Sequence, residues 1–241
     1  GITMGGGVGV SVHGAYRVST ENTVFAMPET GIGLLPDVGG TYFLPRLPGY
    51  IGTYLVLTGA RLRAEDLVYT GIATQFTPAS QLVVLKQHLA AGEDIAATLD
   101  AFNQDVGPAP LADMRDDIDA AFCADTVVDI LAKLDAANTP WAAEQTGIIN
   151  TKSPMSAGVA LHQMRVGAQA DFDECMRMEM RAVTRLMARP DFYEGVRAVI
   201  LDKDNAPAWT PPHHGAVTAQ DIEAIFAPLG ADELKLGETH G

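Results

Sequence analysis

The chain has 241 residues, of which 47% are hydrophobic and 19% charged, a balance that supports a sizeable packed core and argues against intrinsic disorder. Its net charge of -14 argues against a nucleic-acid partner, whose phosphates need a lysine and arginine surface, and no run approaches the roughly 18 apolar residues of a membrane span. Residues 1–63 hold four basic groups (Arg17, Arg46, Arg61, Arg63) against three acidic ones (Glu21, Glu29, Asp37), so the excess negative charge lies beyond residue 63 and an anionic small ligand would approach the first segment.

Residues 1–48 are rich in glycine and poor in charge, and from about residue 61 the chain turns acidic, alanine-rich and helix-periodic. That shift predicts a compact α/β core followed by a helical region. Within residues 5–13, Val8, Val10 and Val12 alternate as in a strand while the glycines disfavour either element, which leaves strand and helix both open. Short strands are expected at 17–20 and 23–27, and Pro28, Gly31 and Gly33 then break the chain into a tight loop. Asp37 stands at or beside the N-cap of a helix starting in Gly39-Gly40-Thr41-Tyr42-Phe43-Leu44.

Helical spacing of apolar residues marks 79–91, 94–102, 112–122, 126–136 and 171–188, and Phe172, Met176, Met180, Val183 and Met187 are expected to form the core face of the last. Ser153 and Pro154 give a serine cap and a first-turn proline to a further helix. His213-His214 fall among prolines in an expected surface loop, where a metal site is the weaker reading, ahead of a short helix at about 218–226. There is no internal repeat. Cys123 and Cys175 form no disulfide framework, which fits a reducing compartment. Because the chain opens at Gly1 with neither a methionine nor a leader, it is expected to be part of a longer protein.

Three features within the first forty residues carry chemistry together: the glycine cluster around Gly6, Glu29 in Met27-Pro28-Glu29-Thr30, and Asp37 in Leu35-Pro36-Asp37-Val38-Gly39-Gly40. The cluster misses the G-x-G-x-x-G spacing and has no P-loop lysine, which disfavours nucleotide cradling. If a helix begins at Gly6, its N–H is an unpaired donor at the positive helix end, able to polarise a thioester carbonyl; otherwise the glycines serve only a tight turn and close packing. Glu29 lies beside Phe25, Ala26 and Met27 and is either partly desolvated with a raised pKa or a solvated loop glutamate. For Asp37, capping and catalysis are both open.

These motifs resemble the crotonase (enoyl-CoA hydratase/isomerase) superfamily, on Gly5-Gly6-Gly7, Pro28-Glu29 and Pro36-Asp37-Val38-Gly39-Gly40, then residues 42–47, Leu57-Thr58-Gly59 and the late run 191–198. The resemblance implies an α/β fold with a crotonase-like ββα spiral core, its N-terminal part absent here. Residues 1–78 would be the C-terminal part of that core with the active-site motifs, including a short hairpin, and residues 79–241 a mainly helical region. Hydratases of the superfamily place a glutamate two residues after the G-G-G run, where this chain has Gly9, and carry glycine where it has Asp37. Both departures, with Lys152-Ser153-Pro154-Met155-Ser156 and residues 126–131, resemble the hydrolase branch that acts on 3-hydroxyisobutyryl-CoA.

That branch implies hydrolysis of the acyl-CoA thioester to CoA and 3-hydroxyisobutyrate, as in valine breakdown, with 3-hydroxypropionyl-CoA a second substrate. Gly6 would stabilise the oxyanion, Glu29 would act as nucleophile or as base for water, and Asp37 would orient the substrate hydroxyl or protonate the leaving thiol. No metal and no cofactor are implied, CoA being part of the substrate. The family's N-terminal third supplies the second oxyanion donor, worth on the order of 3 to 4 kcal/mol, so a companion N-terminal fragment of the same protein is expected as a partner. A homo-oligomer is a further expectation, and the location would be cytoplasmic, or mitochondrial in a eukaryote. The competing readings are an enoyl- or dienoyl-CoA isomerase or hydratase-like enzyme, and a non-catalytic crotonase-like fragment.

Overall fold

The computed structural model describes residues 1–237. Its contacts group into two compact units, residues 1–26 with 61–116 and residues 27–60 with 117 onward, so each unit draws on both sides of position 78.

In the first unit, β1 (Ile2–Met4), β2 (Val18–Ser19), β3 (Val24–Ala26) and β4 (Gln75–Phe76) form two parallel pairs. Ile2 through Met4 lie opposite Val24 through Ala26, and Val18 and Ser19 lie opposite Gln75 and Phe76. The strands expected at 17–20 and 23–27 are therefore present but shorter, and they do not pair with each other as a hairpin. The Thr23 amide does close a turn on the Thr20 carbonyl, at 2.9 Å, yet the hydrogen bonds of the flanking residues go elsewhere. Ser19 accepts from Thr77 at 3.0 Å, and Phe25 exchanges both backbone bonds with Leu62, at 3.0 and 2.9 Å.

The open question at residues 5–13 resolves as helix. Gly5 takes a φ of 51°, a left-handed turn natural to glycine, and Gly6–Gly9 follow as a short helix that buries Val8 and leaves Val10 exposed. A Cβ built at Gly6 or Gly7 would meet nothing within 4 Å, so close packing does not dictate glycine at those two positions.

Most of the expected helices are present, with capping chemistry that places their ends. Asp94 accepts from Ala97 ahead of Ile95–Phe102, Thr126 from Asp129 ahead of Val127–Ala137, Asp171 from Glu174 ahead of Phe172–Leu186, and Ser153 from Ser156 ahead of Pro154–Gly167. Thr218 and Asp221 form a capping box at Ala219–Phe226. The segment expected as one helix at 112–122 is two, Pro110–Asp113 and Arg115–Phe122. Ile51–Thr58 was not foreseen because all eight of its residues are buried, which leaves no polar face for a periodic pattern to reveal.

Two expectations are corrected in the second unit. The buried side of Phe172–Leu186 is Cys175, Met178, Glu179, Ala182 and Leu186, whereas Phe172, Met180 and Met187 are exposed. Only Val183 of the expected face packs on the core cluster of Leu35, Met155, Val159, Ala182, Leu186 and Ile225. A buried glutamate in the stripe displaced the apparent apolar phase. His214, expected on the surface, is buried with Nε2 3.3 Å from the Ile149 carbonyl.

Ile51–Thr58 approaches residues 44–46 so closely that a Cβ on Gly52 would collide with the Leu44 carbonyl oxygen. Backbone cannot yield as a flexible side chain does, so Gly52→Ala is expected to lower stability by about 1 to 3 kcal/mol, the usual cost of overpacking. Urea denaturation checks this; an unchanged midpoint would contradict the close approach.

Candidate active site

Glu29 heads a 3-10 turn, Glu29–Ile32, that the second unit holds from several sides. The Thr30 hydroxyl donates to the Val56 carbonyl at 3.0 Å, and the Thr30 carbonyl accepts from the Ser153 amide at 3.1 Å. Gly33, with φ 73°, closes the turn, and a Cβ there would strike the backbone of Asp191; a Cβ on Gly195 would strike that of Ile32. The helix Pro190–Val196 thus lies directly on the turn. Asp191 is itself anchored, accepting from the Ser153 hydroxyl at 2.6 Å and the Thr210 amide at 2.7 Å.

This packing leaves Glu29 only 6% exposed. Its Oε2 is buried with no hydrogen-bond partner among the described residues. Desolvation pushes the Glu29 carboxyl up to about 7; its own backbone amide opposes this, and the nearby negative charge of Asp37 adds to it. A group poised there exchanges protons readily at neutral pH. The same electrostatic influence puts Glu29 and Asp37 in one neighbourhood. Asp37 is half-buried, and its carboxyl is likewise raised by desolvation, against its own backbone amide.

Asp37 does not cap the helix that follows it. The N-cap of Gly40–Phe43 is Gly39, and no side chain at that position closes it. The amides of Gly39 and Thr41 donate instead to Glu179, at 3.0 Å to Oε2 and 2.9 Å to Oε1. Of the two roles open for Asp37, capping is thereby taken by another residue. Gly6 belongs to the first unit, where it is exposed and begins its helix. As a first-turn amide it has no carbonyl one turn earlier to receive its N–H.

The sequence pattern described as enoyl-CoA hydratase/isomerase matches residues 1–226. The chain belongs to the enoyl-CoA hydratase/isomerase family, and its α/β fold is crotonase-like. It is 45% identical over 246 residues to the mitochondrial 3-hydroxyisobutyryl-CoA hydrolase of Mus musculus and 43% identical over 245 residues to that of Homo sapiens. Each match covers 98% of this chain and 64% of the relative, so the chain spans under two thirds of the length of these proteins. Among solved structures, a carnitinyl-CoA dehydratase from Mycobacterium thermoresistibile superposes with a TM-score of 0.90 at 39% identity, covering 97% of this chain and 67% of that one. An enoyl-CoA hydratase from Rhodobacter sphaeroides 2.4.1 gives 0.90 at 37% identity, with 98% and 68% covered.

Sequence reasoning passed over two buried polar side chains near these carboxylates. Glu179 stands on the core side of an amphipathic helix, where a charged residue in the apolar stripe was its only mark. Gln163, fully buried, donates to the Pro36 carbonyl at 2.6 Å and to the Thr41 hydroxyl at 2.5 Å, and nothing in its flanking sequence signals either bond.

The raised carboxyl of Glu29 fixes a sign for stability. Its ordinary value is 4.5 and its folded value about 7, so the folded state holds this proton more tightly than the unfolded one. Stability is unaffected below about 4.5, falls as pH rises toward 7, and the loss is complete above that. Replacing Glu29 by Gln removes the titration and should improve stability relative to the parent by on the order of 3 kcal/mol more at about pH 8 than at about pH 4. Denaturant unfolding at the two pH values tests it; an advantage that does not grow with pH would show that Glu29 titrates as a solvated group.

Proposed function

We propose that this chain carries the acid/base machinery of a 3-hydroxyisobutyryl-CoA hydrolase, which cleaves the thioester to CoA and 3-hydroxyisobutyrate. The observation that carries the reading is the buried Glu29 carboxyl, its Oε2 without a hydrogen-bond partner among the described residues and its pKa raised to about 7, in the electrostatic reach of Asp37. Similarity to the mouse and human hydrolases over almost the whole chain supports the substrate, and Gly9, where hydratases of the family place a glutamate, weighs against hydration.

In the proposed reaction the ionised Glu29 either takes a proton from water as its oxygen attacks the thioester carbon, or attacks that carbon itself to form an anhydride that water then opens. Charge develops on the carbonyl oxygen, and a backbone amide donor is needed to receive it. The C–S bond breaks as the carbonyl reforms, and the sulfur leaves as thiol once it gains a proton. Asp37 either supplies that proton or holds the 3-hydroxyl of the acyl group. No cofactor enters, since CoA is the leaving group.

Incubating the protein with 3-hydroxyisobutyryl-CoA and a thiol reagent tests this directly. Thiol release is expected, and Glu29→Gln and Asp37→Asn should each lower it by on the order of 10² to 10⁴-fold, the span typical of a lost proton-transfer group, with circular dichroism unchanged. Conversion of an enoyl-CoA without thiol release would favour the isomerase or hydratase reading, and full activity in both variants would remove these carboxylates from the mechanism.

The reading extends to a companion: the second oxyanion donor is assigned to the stretch of the hydrolases outside the match, whether carried on the same polypeptide or on a separate one. Support comes from the chemistry, since a single amide is one donor and the loss of a second would cost on the order of 3 to 4 kcal/mol of transition-state stabilisation. Intact mass and denaturing electrophoresis of material purified from its source check this, and activity from this chain alone would end it. The mitochondrial placement of the named relatives extends by the same proposal to this protein if its source is eukaryotic.

A further inference from the structure

We propose that Glu179 and Gln163 are positioning residues for Asp37, closing a buried hydrogen-bond clamp on residues 36–41 that fixes where the Asp37 carboxyl stands. The inference rests on the reading of Asp37 as a group of the active site.

Both ends of the segment are held, and by helices far away in sequence. Gln163, on Pro154–Gly167, donates to Pro36 immediately before Asp37 and to the Thr41 hydroxyl after it. Glu179, on Phe172–Leu186, accepts from the amides of Gly39 and Thr41. The Thr41 hydroxyl joins the two, taking Gln163's bond and stabilising the Glu179 carboxylate. A Cβ on Gly167 would run into the Thr41 carbonyl, so Pro154–Gly167 also bears directly on the segment's backbone.

A cap alone would not call for this arrangement. A cap side chain at position 39 would accept from the Thr41 amide only, whereas Glu179 also takes the amide of residue 39 itself and so holds the segment one residue further back toward Asp37. Glu179 is only 6% exposed, and its carboxyl is raised by desolvation despite three hydrogen bonds that lower it. The segment it holds is also strained, because Val38, a β-branched residue next to Asp37, sits at φ 52°. Such a conformation persists only where the surroundings over-determine it. The group that faces Glu179 from the segment is Asp37, whose charge acts on it, while Cys175 is its titratable neighbour on its own helix.

The test uses the full chain with any companion polypeptide present. Glu179→Gln keeps the side chain's shape but turns one acceptor oxygen into a donor that the amides cannot use. It should lower kcat on 3-hydroxyisobutyryl-CoA by on the order of 10²-fold, the cost of a misplaced catalytic group, with KM little changed. In an Asp37→Asn background the same substitution should cost almost nothing more, because Asp37 is what the clamp serves. Gln163→Met, close in shape but unable to bond Pro36 or Thr41, should show the same pattern and replaces the first variant if that one does not fold. Independently of any activity, carbon-13 NMR of the Asp37 carboxyl should show its titration moving down in Glu179→Gln, as the segment loosens and water reaches the desolvated carboxyl. An unmoved Asp37 titration in a folded Glu179→Gln protein overturns the proposal, as does a full additive loss on top of Asp37→Asn. If no variant and no parent protein hydrolyses the thioester, the functional reading fails while the NMR titration still decides the clamp.

Discussion

Everything at the candidate site depends on keeping one carboxyl out of water while leaving one of its oxygens without a partner among the described residues. Glu29 begins a turn that a threonine hydroxyl ties to the helix Ile51–Thr58, a backbone bond ties to Ser153, and two glycines bring within contact of the helix Pro190–Val196. Each contact displaces solvent, and none offers Oε2 a donor. Burial without compensation is what lifts a carboxyl toward neutrality. A single added hydrogen bond would return Glu29 toward the ordinary carboxylate range.

Glu179 shows the opposite use of the same burial. It is as enclosed as Glu29, yet both of its oxygens accept backbone amides, and a hydroxyl adds a third bond. A carboxylate so satisfied is a structural anion at a helix start, where the backbone dipoles favour negative charge. The two glutamates differ in hydrogen bonding rather than in depth, and that difference separates a group available for proton transfer from one that holds a loop. Asp37 lies electrostatically between them, raising Glu29 and also acting on Glu179.

The pieces of the site that were legible in sequence are the ones with short-range signatures. Glycine before a helix, proline before glutamate and an isolated charge among apolar residues all leave local marks, and the serine cap at Ser153 was readable for the same reason. Strand partners were not readable. Residues 18–19 and 24–26 looked like the two arms of a hairpin because they are adjacent, but β2 pairs with β4, Val18 lying opposite Gln75, and β3 pairs with β1. The helix face of residues 172–186 was misjudged because hydrophobicity alone cannot register a glutamate whose burial is compensated by amides more than a hundred residues away.

By itself the sequence determined the family and the order of the motifs, and it singled out Glu29 and Asp37 as the candidate carboxylates, because those rest on residue type and spacing along the chain. Only the tertiary structure decided the protonation behaviour of Glu29, the release of Asp37 from capping, and the clamp through Gln163 and Glu179. Each of these is set by desolvation and by hydrogen bonds between segments distant in the chain, and both depend on which atoms meet in space rather than on which residues are neighbours in sequence.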